Sequence, residues 1–62
     1  MFTVIQQLRS YNQIENRYLI HSVTMNRHYI AVTSEKLNRY DTLGSFACEA
    51  QGSKEYLLKK YK

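Results

Sequence analysis

The chain has 62 residues, 44% of them apolar, and a formal net charge of +4. A length like this holds one domain whose core contributes about 3–5 kcal/mol, a thin margin for a buried catalytic pocket. The apolar share excludes a disordered chain, and no apolar run approaches the roughly 18 residues that a membrane span requires.

Taken in chain order, the first segment reads two ways. Thr3 and Gln6 have the spacing of a capping box, and Val4, Leu8 and Tyr11 share a helical face. These predict a short helix over about residues 4–15. Phe2-Thr3-Val4-Ile5 equally begins a strand. This start lacks the basic and long apolar stretches of a secretory signal.

Residues 18–25 and 28–34 are rich in β-branched and aromatic side chains. With Asn26-Arg27 as the turn, they predict a β-hairpin. Leu19, Val23 and Met25 alternate onto one face of its first strand; Tyr18 and Ile20 alternate onto the other. Both faces are therefore partly apolar and need cover. Glu35 to Asn38 is a polar break, and Arg39 to Leu43 a short third strand.

In the last third, Leu43, Phe46, Ala47, Ala50, Leu57, Leu58 and Tyr61 recur at three- and four-residue steps, which predicts a helix. Gly52 interrupts it, with Ser53 placed to cap a second piece. Lys54 falls on the apolar stripe and has to snorkel outward. Lys59, Lys60 and Lys62 suit the negative end of the helix dipole. Asp41 precedes the helix as a capping residue. The expected class is α+β: a small three-stranded antiparallel sheet packed on a C-terminal helix, with a short N-terminal helix.

The charge is unevenly spread. Residues 1–16 sum to zero, residues 17–40 to +3 and residues 41–62 to +1. The middle third carries Arg17, Arg27, Lys36 and Arg39 against Glu35, and it holds both histidines, His21 and His28. Cations interleaved with Tyr18, Tyr29 and Tyr40 suit a nucleic-acid surface. Lysines and arginines displace counterions from phosphates, and aromatic faces stack on bases.

The run Leu43-Gly44-Ser45-Phe46, continuing to Tyr56, resembles the strand-to-helix junction of apetala-type plant transcription-factor domains. It is also similar to the arm-binding domains of phage integrases. Ser22-Val23 and His28-Tyr29-Ile30-Ala31-Val32 resemble the first two strands of those domains. The resemblance covers about residues 18–61. It implies a three-stranded sheet on one helix, with the open sheet face in the DNA major groove. Alternation from Tyr29 puts Ile30 and Val32 on that face.

Other chemistry is missing from the pattern. There is no glycine-rich phosphate loop, and two histidines with one cysteine match no zinc spacing. With a turn at Asn26-Arg27, His21 and His28 do not face each other. Cys48, the only cysteine, makes no internal disulfide and suits a reducing, cytoplasmic setting. No cofactor, metal or catalytic residue is expected, and no membrane partner.

Two functions follow as expectations. The first is a small DNA-binding regulatory or accessory protein that contacts duplex DNA through Arg17, Arg27, His28, Lys36 and Arg39. The second is an interaction module that docks on a larger protein through Tyr18, Tyr29 and Ile30, or on a second copy of itself as a homodimer. A minimal enzyme is a distant third.

Overall fold

A computed structural model describes residues 1–10 and 12–61. Tyr11, read above as part of a helical face, and Lys62, read as a helix-end cation, lie outside the described residues. The elements are β1 (Phe2–Leu8), β2 (Asn16–Ser22), β3 (Arg27–Thr33), β4 (Thr42–Leu43), β5 (Ala47–Gly52) and α1 (Lys54–Tyr61). The class is α+β, with a five-stranded sheet where three strands were expected. Strand order is β4-β1-β2-β3-β5, and every neighbouring pair is antiparallel.

The N-terminal segment is a strand, not the helix expected over residues 4–15. Its register against β2 slips between Val4 and Gln6. This bulge at Ile5 breaks the period of two. Phe2 and Val4 therefore face one side of the sheet, while Ile5 and Leu8 face the other. A strand carrying apolar residues on both faces imitates a helical pattern.

The β2–β3 hairpin forms as expected, but its turn covers Val23–Asn26 rather than Asn26-Arg27. Ser22 Oγ accepts the Met25 amide at 3.2 Å. Asn26 closes the turn at φ 51°, a left-handed conformation that asparagine tolerates. Moving the turn forward brings His21 directly opposite His28.

The third strand shrinks to Thr42–Leu43 on the outer edge of β1. Before it, Asn38–Asp41 form a turn. The Asn38 amide donates to Asp41 Oδ2 at 2.7 Å, and the Asp41 amide to the Asn38 carbonyl at 3.0 Å. Asp41 is thus a turn residue, not a helix cap.

The long helix expected from residue 43 is replaced by β5 and an eight-residue α1. Alanine, glutamate and glutamine in residues 47–52 are good helix formers, but intrinsic propensity is small enough for tertiary pairing to override it. Buried β3 needs a partner for its free backbone edge, and that demand prevails. Ser53 caps α1, its Oγ accepting the Tyr56 amide at 3.1 Å. Leu43-Gly44-Ser45-Phe46, expected to join strand to helix, joins two strands.

That join bends the whole sheet. β4 and β5 both run opposite to β1, and they occupy its two outer edges. Three residues separate Leu43 from Ala47, so their Cα atoms are at most about 15 Å apart. In a flat sheet the two edge strands would be about 19 Å apart across the strands alone. The sheet therefore curls. Phe46 seals the concave side against Phe2 and Tyr29, with ring centres 4.6 and 5.9 Å away.

Two apolar clusters result. Val4, Tyr18, Ile20, Tyr29 and Ala31 line the concave face, closed by Leu37, Leu43 and Phe46 from residues 37–46. Leu8, Leu19 and Ile30 line the other face, where Leu57, Leu58 and Tyr61 of α1 cover them.

Candidate nucleic-acid interface

Five cationic residues were expected to act together, and the fold separates them. Arg17 is buried at 9% exposure. Its Nε lies 2.8 Å from Glu49 Oε1, its guanidinium also bonds Glu49 Oε2 and the Arg9 carbonyl, and it stacks over the Tyr61 ring at 5.0 Å. Arg17 therefore ties β2 to β5 and α1 and presents no cation outward.

Lys36 lies beyond Thr33, at the opposite end of β3 from Arg27; six residue steps of strand make that about 20 Å. Arg39 stands beside the outer edge of β1, where the Tyr40 amide bonds the Val4 carbonyl, and it stacks on the Tyr40 ring at 5.1 Å. Lys36 and Arg39 are both exposed but join no common patch with Arg27.

The residues expected at a protein interface are core residues instead. Tyr18 is 1% exposed, Tyr29 9% and Ile30 0%. The Tyr18 hydroxyl accepts the Leu37 amide at 2.9 Å and donates to the Glu35 carbonyl at 3.2 Å. Tyr29 belongs to the aromatic seal. Ile30 packs beneath α1, so its face of the sheet is the covered one. The curl and residues 37–46 bury Tyr18 and Tyr29, and α1 buries Ile30; a residue pattern reveals neither.

What the fold does bring together lies at the turn end of the hairpin. Asn26, Arg27 and His28 face Gln51 to Glu55 across an open cleft of about 670 Å³. Register carries β5 here, because Gly52 pairs with His28. Ser53 then precedes α1, which brings Lys54 to the cleft that Arg27 also lines. Arg27 and Lys54 are exposed, and among the described residues neither makes an ion pair. Glu55 is the one acidic group lining the cleft.

Lys54 was read as a snorkelling residue within a longer helix, and its part in this cleft was missed. The signal lay in Gly52-Ser53: a helix starting after a serine cap puts the next lysine at its N-terminus. Tyr56 completes the cluster, half exposed, with its ring against Gly52. Gly52 stands at φ 158°, and a Cβ there would meet Tyr56 Cδ2 at 2.9 Å. Lys60 lies 5.7 Å from the same ring.

His28 and His21 face each other, contrary to expectation, with ring centres 4.6 Å apart. His21 Nε2 is 3.2 Å from Asn26 Oδ1. Burial lowers the His28 pKa below 6.5, with smaller contributions from His21 and Lys54 that Glu55 opposes. No group of three or more histidine, cysteine or acidic side chains gathers around a common point among the described residues. No helix of the described residues is long and apolar enough to cross a membrane.

No family model matches the chain, and neither a curated protein nor a solved structure is similar to it.

Proposed function

We propose that this protein is a small nucleic-acid-binding accessory protein whose phosphate contacts are made by Arg27, His28 and Lys54, with Tyr56 as a stacking surface. The observation that carries the reading is Lys54. A cation at a helix N-terminus is opposed by the helix dipole, and here it also shares a cleft with Arg27. Such a concentration of positive potential is costly in the free protein and favourable once a phosphate enters. The exposed Tyr56 ring beside Lys60 adds the aromatic element that nucleic-acid surfaces use.

Arg17 has no part in this contact. Lys36 and Arg39 lie too far away to share a phosphate with Arg27 and contribute only long-range attraction. With two or three phosphates engaged, the slope of log affinity against log salt is about −2 to −3 on duplex DNA. Fluorescence anisotropy of a labelled duplex across a salt series measures it. Replacing Arg27 or Lys54 by alanine flattens the slope by about 0.9 each, whereas Lys36→Ala leaves it nearly unchanged. Absence of binding at low salt overturns the reading.

A second reading rests on the same end of the molecule. Val23 and Met25 in the turn are 70% and 57% exposed, and Met1, just before β1, is 78% exposed. An apolar tip rimmed by Arg27 suits docking on a protein with an acidic margin. That contact survives moderate salt and fails with Val23→Asp, a change that leaves the salt slope on DNA intact.

A further inference from the structure

The cross-strand histidine pair carries an inference separate from the nucleic-acid reading. We infer that His21 and His28 form a bidentate site for a borderline transition-metal dication, Cu(II) foremost, with Zn(II) and Ni(II) as weaker occupants. The argument begins with register. Directly opposed residues of an antiparallel pair share one face, with Cβ atoms about 4.5–5.5 Å apart, and His21 and His28 are such a pair.

The ring-centre separation is compatible with chelation. A metal sits about 2.0–2.1 Å from an imidazole nitrogen. Adding the roughly 1.1 Å from nitrogen to ring centre puts the metal about 3.2 Å from each centre. Two such vectors at 90–110° separate the ring centres by about 4.5–5.2 Å. The observed separation is 4.6 Å, with the planes inclined by 33°. An offset aromatic pair also tolerates this spacing, but a neutral imidazole additionally presents a lone pair.

The surroundings supply more donors and set the charge. Asn26 Oδ1, 3.2 Å from His21 Nε2, is an oxygen donor already at hydrogen-bond range of one ring. Metal at that nitrogen moves the ring's proton to the other nitrogen and releases the amide oxygen to serve as a third ligand. Lys54 and Arg27 repel a dication and Glu55 attracts it, so the site is open and selective by ligand type rather than by high affinity. Two imidazoles with oxygen donors suit Cu(II), which heads the divalent affinity order.

The experiment uses the full chain carrying Cys48→Ser, which removes the exposed thiol as a competing ligand. Substoichiometric Cu(II) is added while the NMR signals of both imidazole rings are followed. Joint broadening of His21 and His28 before any other region is expected. Titration of His21→Gln and of His28→Gln, each checked for folding by its amide spectrum, is expected to show at least a tenfold loss of Cu(II) affinity. His21→Gln should keep duplex DNA binding, which separates this site from the phosphate cleft. Broadening that starts around the Met1 amine, or equal affinity in wild type and both variants, overturns the inference. The wild-type broadening pattern decides the matter even if a variant unfolds.

Discussion

His28 does two things at once. It lines the basic cleft, and it stacks on His21 in the cross-strand pair. Burial first, and His21 and Lys54 next, hold its pKa below 6.5, so the folded state resists protonating it. The unfolded chain takes up a proton as pH falls through 6.5, while the folded chain does so only at lower pH. Stability therefore declines as pH drops from about 6.5 to the folded-state pKa of His28, and that loss is complete below it. Urea unfolding at pH 7.5 and pH 5.5 measures the difference. His28→Gln should shrink it, and a wild type equally stable at both values would contradict the account. A phosphate bound in the cleft, as proposed, would act the other way and favour the charged ring.

β5 is the element on which the rest of the fold depends, and side-chain chemistry anchors it. All six of its residues are alanine, cysteine, glutamate, glutamine or glycine, and no residue of the strand is buried. Its register against β3 also slips at Glu49. The bulge turns Glu49 toward the α1 side, where it meets Arg17 at 2.8 Å. This ion pair joins strands that are not neighbours in the sheet. Arg17→Met should cost about 2 kcal/mol, less than the 3–5 typical of a fully buried pair because Glu49 keeps some solvent contact. Adding Glu49→Leu should restore much of that. Thermal unfolding of the single and double variants tests this, and a single variant as stable as wild type would show that the pair only decorates the strand.

For the molecule as a whole, closure of the curled sheet matters more than any strand alone. The chain crosses from one sheet edge to the other in three residues, and Phe46 is the only one of them with a large side chain. Its ring holds Phe2 and Tyr29 together, and so holds β1 to β3 over the concave core. Phe46→Ala should cost about 2–3 kcal/mol, somewhat below a fully buried phenylalanine. In a domain with about 3–5 kcal/mol to lose, that leaves a substantial unfolded population at 37 °C. Circular dichroism against temperature should show the midpoint fall by more than 10 °C. An unchanged midpoint would mean that the backbone ladders alone keep the sheet curled.

The hairpin, the serine cap at Ser53 and the α+β class were legible because each rests on local chemistry: β-branched alternation, a side-chain oxygen at a helix start, a lysine-rich helix end. That Arg27 lies exposed was legible because the first residue after a hairpin turn stays at the end of the sheet. The strand identity of residues 2–8 and 47–52 was not legible. The bulges at Ile5 and Glu49 erase the two-residue period, and pairing with distant partners outweighs intrinsic helical propensity. Arg17 looked like a surface residue by its type, and Tyr18, Tyr29 and Ile30 were read as an interface because the hairpin is apolar on both faces and one face lacked an evident cover. Only the curl of the sheet, with α1 on one face and residues 37–46 on the other, determined that they lie inside. The same long-range register placed Lys54 in one cleft with Arg27 and His21 against His28, since residues distant in sequence become neighbours only through tertiary contacts.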